Sequence, residues 1–380
     1  MTVVRKAIVR SVSVDKKVKI KKYMRIIAIV GARPQFIKSA MLNIAVRERQ
    51  LAGADIQLDL LHTGQHYDHQ MSEVFFRNMN IPEPKWRLSR SGTAEEMSNG
   101  ILAILEKERP DYVLVFGNAN TTLAGALAAE KAGIPLIYIE AGLRSYNNDS
   151  IEEYNRIETD RRASILFCPT HQAMENLKKE GSKGKIFFCG DILLDVAMTY
   201  GRLAIISSQL LDNLQLAGKK YYLATLHRAE TIDNPAELES VLMALMQLET
   251  PVVMTLHPRT RKALDANPGL MKMIRRNTSI MLIPSQNYTD MAMLEKCASL
   301  IITDSGGVQK EAYFYHKPCI IVRNETEYME TVNAGWAVLS GTDTHRILEA
   351  INNPPHGNND IEDLGDGHAS EIIVDTLLSL

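Results

Sequence analysis

The amino-acid sequence predicts an α/β fold built from two doubly wound units, each a parallel sheet covered by helices, that face a shared cleft. Three observations predict it. Short apolar runs alternate with helical patterns over the first half of the chain, a second series of the same kind opens near Tyr221, and polar or glycine-containing segments fall directly after most of the apolar runs. A β-α-β-α rhythm specifies parallel strands with helices on both faces. In such sheets ligands bind beyond the carboxyl ends of the strands.

In the first series, Arg25–Val30 reads as a buried strand ending at Gly31. Asp59–His62, Tyr112–Phe116, Leu136–Ile139, Leu166–Cys168 and Ile186–Cys189 read the same way. Gln35–Gln50, Thr121–Lys131 and Gln172–Glu180 are among the helices between them. Tyr200–Lys220 is the expected junction, helical in character and ending in Gly218-Lys219-Lys220. The second series has strands at Tyr222–Thr225, Val252–Leu256, Ile280–Ile283, Leu300–Thr303 and Cys319–Val322, with helices at Pro235–Leu248, Met291–Ala298 and Gln309–Tyr315. Asn352–Asn359 reads as a plain loop.

A chain of 380 residues suits two domains with separate cores. The expected limits are 24–199 and 200–365. Residues 1–23 carry Arg5, Lys6, Arg10, Lys16, Lys17, Lys19, Lys21 and Lys22 against Asp15, without a continuous apolar stretch. They read as a basic leader outside the fold rather than a secretory signal. A net charge of −2 exerts no general pull on nucleic acid or an anionic membrane, so any anion site must be local. Cys168, Cys189, Cys297 and Cys319 lack C-x-x-C spacing, which argues against structural zinc or a disulfide framework and for free thiols in a cytoplasmic protein. No apolar run approaches the length of a membrane span.

The chemistry gathers after the strands. Gly31-Ala32-Arg33-Pro34-Gln35-Phe36-Ile37-Lys38 offers a tight turn, a helix start and two cations, a combination that attracts phosphate or carboxylate. Thr63-Gly64-Gln65-His66 and Gly117-Asn118-Ala119-Asn120 are loops at strand tops. Glu140, ending an apolar strand before Ala141-Gly142-Leu143-Arg144, and Glu152 in Glu152-Glu153-Tyr154-Asn155-Arg156 supply carboxylates for proton transfer at two faces of a carbon. His227-Arg228 and His257-Pro258-Arg259 suit a diphosphate or a general acid. The sharpest signal is Thr303-Asp304-Ser305-Gly306-Gly307-Val308-Gln309-Lys310-Glu311. There the backbone N–H groups of Ser305, Gly306 and Gly307 can face a diphosphate, and Glu311 can accept from ribose hydroxyls.

In this order, together with the closing Gly365-Asp366-Gly367-His368-Ala369-Ser370-Glu371, these motifs resemble the non-hydrolysing UDP-N-acetylglucosamine 2-epimerase family from Met24 onward. Gly31–Phe36, His66-Tyr67-Asp68, Asp290–Lys296 and Arg323-Asn324-Glu325-Thr326-Glu327-Tyr328 are similar to its UDP-2,3-diacetamido-2,3-dideoxyglucuronate 2-epimerase branch. The resemblance implies two Rossmann-like domains in the GT-B arrangement, with residues 366–380 forming a helix that crosses back onto the first. It also implies a homodimer, a UDP-sugar substrate, a place in polysaccharide biosynthesis, and no redox cofactor or metal. UDP would leave C1 in an anti elimination with loss of the C2 proton, then add back after the opposite face is protonated. Carried over by position, Asn118, Glu140, Glu152 and His227 take the catalytic places. Arg33, Lys38, His66, Arg144, Arg156, Arg228, His257, Met291, Ser305, Gly306, Gly307 and Glu311 take the binding places.

One departure stands out. The family has Gly-Asp-Thr where this chain has Gly117-Asn118-Ala119, and an amide cannot take a proton at neutral pH. The alternatives are a GT-B glycosyltransferase, which would need an acceptor, and a UDP-sugar-binding copy without turnover.

Overall fold

The computed structural model describes residues 23–65, 76, 79–89, 92–357 and 360–380. The leader up to residue 22, His66-Tyr67-Asp68, and Asn358 and Asn359 of the expected loop lie outside the described residues.

The first sheet joins seven parallel strands in the order β3-β2-β1-β4-β5-β6-β7. These are β1 (Met24–Val30), β2 (Ile56–His62), β3 (Trp86–Arg87), β4 (Tyr112–Phe116), β5 (Leu136–Ile139), β6 (Ile165–Cys168) and β7 (Lys185–Phe188). The second joins six, in the order β10-β9-β8-β11-β12-β13: β8 (Tyr222–Leu226), β9 (Val252–Leu256), β10 (Ile280–Pro284), β11 (Leu300–Thr303), β12 (Cys319–Ile321) and β13 (Ala337–Leu339). Both orders reverse once, between β1 and β4 and between β8 and β11, which places a crevice at each reversal.

The continuous apolar strands follow from burial on both faces. Along β1, Ile27 and Ile29 pack with Leu105, Val113 and Val115 on one side, while Ile26, Ala28 and Val30 pack with Phe36, Leu42 and Ile373 on the other. Each such side chain contributes about 1.5–3 kcal/mol by leaving water. The second sheet repeats this, with Ala224 and Leu226 on one face and Leu223 on the other.

Helices α1 (Arg33–Leu51), α2 (Ala94–Glu108), α3 (Asn120–Ala132), α4 (Ile151–Arg162), α5 (His171–Lys179) and α6 (Ile192–Ser207) accompany the first sheet. α7 (Pro235–Met246), α8 (Tyr288–Cys297) and α9 (Gly306–Phe314) accompany the second. The closing α10 (Ala369–Ser379) returns to the first sheet: Ile373, Val374 and Leu377 join the cluster of Phe36 and Val46, and Arg49 binds Asp375 at 2.6 Å.

α6 runs unbroken through the expected limit at 199/200 and packs against both halves. Its Ile192, Val196 and Tyr200 enter the core of the first sheet. Tyr200 also meets Tyr288 edge-on at 5.8 Å, and Ala197 O accepts from the Tyr315 hydroxyl at 3.1 Å. At its N-terminal end, Asp191 N–H donates to Leu364 O at 2.9 Å, beside the abutting backbones of Gly190 and Gly365. β3 and β13, absent from the sequence-based series, are two and three residues long, too short to register as apolar runs.

Candidate active site

The site builds up at the two reversals. After β1, a Cβ on Gly31 would lie 2.0 Å from Thr63 Oγ1 and 2.3 Å from Thr121 Oγ1, so no larger residue fits. Gln35 then organises the turn. Its Oε1 accepts from the N–H groups of Gly31 and Ala32, both at 2.9 Å, and its Nε2 donates to Phe116 O at 3.1 Å. This starts the helix that carries Arg33 and Lys38. Arg33 Nη2 donates to Gln286 O at 3.2 Å, across to the other half. Burial lowers the Arg33 guanidinium, while Glu311 and Glu295 hold its charge.

Lys38 meets Glu140, the last residue before the turn after β5. Glu140 is buried and adopts φ +71°, a left-handed conformation that costs a non-glycine residue about 1–3 kcal/mol. Burial pushes its carboxyl up, but Lys38 and Lys310 outweigh it and hold Glu140 at about 2. It is a fixed anion rather than a group poised to exchange protons near neutrality.

Gly117, at φ +63°, sits against this pair: a Cβ there would be 3.1 Å from Glu140 Oε2 and 3.7 Å from Lys38 Nζ. Asn118 follows at once. The loop is pinned by the Tyr138 hydroxyl, donating to Gly117 O at 2.7 Å, and by Asn155 Nδ2, donating to Asn118 O at 3.0 Å and Asn120 Oδ1 at 3.1 Å.

Two neighbouring glutamates divide on α4. Glu153 is buried and accepts from the N–H groups of Ser145 and Tyr146 at 3.0 and 2.9 Å and from Arg156 at 2.9 Å, so it shapes the preceding loop. Glu152 is exposed, accepts from Ser150 Oγ at 3.1 Å, and lies within electrostatic reach of Arg228.

Two residues expected to contact the ligand have side chains engaged within the protein. Arg144 points into a structural ion cluster: Nη1 meets Asp160 at 2.7 Å, and Nε and Nη2 meet Glu180 at 2.8 and 2.6 Å. With its side chain buried and its donors engaged, it braces the loop after β5 against α4 and α5. Met291 packs into the core under β10 with Ile283 and Leu294. Arg156 keeps its place near the cleft, joined to Glu327 of the other half at 3.2 Å.

In the second half, Asp304 is fully buried and accepts from the N–H groups of His227 and Arg228, each at 2.9 Å, while its other oxygen lies 3.3 Å from His227 Nδ1. Burial lowers the His227 imidazole, Asp304 raises it, and Arg228, Arg33 and Arg259 lower it further; the net shift is downward. The ring of His257 lies 5.4 Å from that of His227, and its Nδ1 accepts from Arg259 N–H at 3.2 Å.

Ser305 caps α9. Its own N–H is engaged by Thr303 Oγ1 at 2.9 Å, which leaves Gly306 and Gly307 as the residues whose first-turn N–H groups a helix leaves without an internal acceptor. Tyr328 covers Gly306, where a Cβ would meet its ring at 2.5 Å. Glu311 is buried and accepts from the Tyr288 hydroxyl at 2.6 Å; burial raises it to about 7.

Sequence reasoning placed Lys310, Asp304 and Glu327 within motifs but gave them no role, and it did not name Asp191. Lys310 Nζ lies 2.6 Å from Asp191 and 3.3 Å from Glu140, all three buried. Glu327 gathers Arg156 and Arg323 at 3.2 Å and Arg228 at 3.3 Å, and these cations hold it at about 2 against its burial. Asp191 also caps α6.

The architecture and this disposition have close counterparts. The family model described as UDP-N-acetylglucosamine 2-epimerase matches residues 49–378. The chain is 42% identical over 94% of its length to all of a UDP-N-acetylglucosamine 2-epimerase homolog of Methanococcus maripaludis. It is also 42% identical over 86% of its length to 91% of the UDP-2,3-diacetamido-2,3-dideoxy-D-glucuronate 2-epimerase of Pseudomonas aeruginosa. In three dimensions it is similar to the Methanocaldococcus jannaschii UDP-GlcNAc 2-epimerase crystallised with UDP-GlcNAc and UDP, with a TM-score of 0.86 and 36% identity over 94% of this chain and 100% of that one. With two α/β sheets set crevice to crevice and a sequence match along most of its length, the chain belongs to the UDP-N-acetylglucosamine 2-epimerase family.

Proposed function

We propose that the chain is a non-hydrolysing 2-epimerase of UDP-2-acetamido sugars, acting on UDP-N-acetylglucosamine or on the 2,3-diacetamido-glucuronate equivalent by elimination and re-addition of UDP. The observation that carries the reading is the opposition of two unlike half-sites. One half offers a buried carboxylate between lysines beside the Gly117–Asn118 loop; the other offers helix-start N–H groups, His227 and Arg228. Lys310 spans the gap to Glu140 at 3.3 Å.

The chemistry asks for this polarity. C2–H is not acidic on its own, so cleavage of C1–O must lead. Cations and N–H donors stabilise the charge that grows on the departing diphosphate. Arg33, Lys38, Arg228, His257, Gly306 and Gly307 suit that task, Ser305 fixes the turn, and Glu311 suits the ribose. Loss of one proton from C2, delivery of another to its opposite face and return of the same leaving group leave the sugar's oxidation state unchanged, so no hydride carrier is required. We assign proton transfer at C2 to Glu152, the exposed carboxylate within electrostatic reach of Arg228, and to Glu140 the part of a fixed negative charge opposite developing positive charge at C1.

We assign the nucleotide half to 200–365 and the sugar half to 24–199, with α10 closing back on the latter. We further propose a cytoplasmic homodimer supplying an epimerised sugar nucleotide for polysaccharide biosynthesis. The buried thiols of Cys168 and Cys189, which neighbour each other unbridged, support a reducing compartment.

Incubation with each UDP-sugar in heavy water tests the reading. The expected result is the C2 epimer carrying deuterium at C2. No epimer and no exchange with either sugar would refute it; free sugar plus UDP would indicate hydrolysis, and dependence on an acceptor would indicate a glycosyltransferase. Asn118 favours one second reading, a binding copy without turnover, which predicts UDP-sugar affinity without exchange.

A further inference from the structure

We propose that Lys310 is a positioning residue for this reaction: it fastens the helix that presents the diphosphate turn to Glu140 and Asp191, so the nucleotide-holding helix also sets the sugar-facing carboxylate. Its catalytic half rests on the epimerase reading above; the contact itself does not.

The geometry is a chain of four buried charges in alternating sign. Lys38 holds one oxygen of Glu140, Lys310 lies 3.3 Å from the other, and Lys310 reaches Asp191 Oδ2 at 2.6 Å. Two cations and two anions cancel, and Lys310 alone of the four comes from the second half. Its ammonium also lies 4.5 Å over the ring of Tyr328, the residue that covers Gly306.

Sequence spacing makes the link functional. Lys310 lies one turn beyond Gly307 on the same face of α9 and directly precedes Glu311. A shift of α9 relative to β5 would move the anion donors, the ribose acceptor and the clamp on Glu140 together. Partial separation is strongly disfavoured, because a buried charge that loses its partner is left uncompensated. The left-handed backbone at Glu140 needs such external constraint to hold its side chain in one direction. Asp191 is anchored as well: its Oδ1 caps α6 by accepting from Leu193 N–H at 2.9 Å.

The test compares Lys310→Met, Asp191→Asn with Lys310→Met, and the unaltered chain in kcat, KM, UDP affinity and melting temperature. The double variant removes one cation and one anion, so its melting temperature should recover relative to Lys310→Met. Its kcat should stay depressed by about 10²-fold, the scale of a misplaced reacting group, with UDP affinity within about threefold. A double variant that melts and turns over like the unaltered chain would overturn the proposal, leaving Lys310 a stability contact only. Failure of the unaltered chain to epimerise any UDP-sugar would instead count against the functional reading. The contact is then decided by a denaturation cycle of Lys310→Met, Glu140→Gln and their combination. Non-additive losses support the clamp, and additive losses overturn it.

Discussion

Tyr288 donates its hydroxyl to Glu311 at 2.6 Å, with both side chains closed off from water. The bond engages Oε1 of the carboxylate proposed above to take the ribose. Glu311→Ala should therefore weaken UDP binding by about 1–3 kcal/mol in calorimetry, the range for hydrogen bonds to a charged acceptor. Unchanged affinity would remove Glu311 from the nucleotide site.

The same carboxyl carries a pH signature. Burial raises it to about 7 from an ordinary 4.5. A carboxyl raised in the folded state keeps a proton that the unfolded chain has lost, so its stabilising effect is full below pH 4.5 and fades as pH rises through 7. Glu311→Gln should flatten this part of the stability profile in denaturant titrations at pH 5, 6, 7 and 8. A profile as steep as that of the unaltered chain would show that another group titrates there.

Glu140 runs the other way. Held at about 2, it stabilises the fold above pH 4.5 and loses that contribution as pH falls toward 2. Glu140→Gln should lower turnover by roughly 10²-fold, the scale of losing one electrostatic stabiliser, while leaving UDP affinity near normal. Collapse of UDP binding with a normal rate per bound enzyme would make Glu140 purely structural.

Arg144→Ala should damage stability and spare the ligand. The substitution strands Asp160, whose side chain is 3% exposed, at a cost of about 3–5 kcal/mol. Chemical denaturation should show this loss. A UDP affinity that falls at undiminished stability would return Arg144 to the binding site.

Asn118→Asp supplies a carboxylate of the same shape, so fold and UDP affinity should hold. Turnover should rise at least about tenfold, or ~1.4 kcal/mol of barrier, read as deuterium incorporation at C2. An unchanged rate in an already fast enzyme would place the base elsewhere, with Glu152 next to be replaced.

The sheets were legible because strands buried on both faces are written as unbroken apolar runs, as in β1 and β4. α2 escaped notice although Thr93 and Glu96 form a capping box, with bonds of 3.2 and 2.9 Å. In the site, residues directly after strands, such as Gly31, Glu140 and Gly306, could be placed from sequence because topology alone puts them at the crevices. Arg144 could not, since its partners are Asp160 on α4 and Glu180, the residue that ends α5. Lys310 and Asp191 are 119 positions apart, and no local pattern joins them.

The placement of α6 limits how the halves can move. The chain leaves for the second half at the C-terminal end of this helix and returns beside its N-terminal end, where Gly365 meets Gly190. Two tethers at the ends of a rod about 24 Å long define a line. Turning about that line leaves both tethers nearly still, whereas sliding or twisting across it would stretch one or both. Rotation about that line is therefore the relative motion that the two tethers resist least.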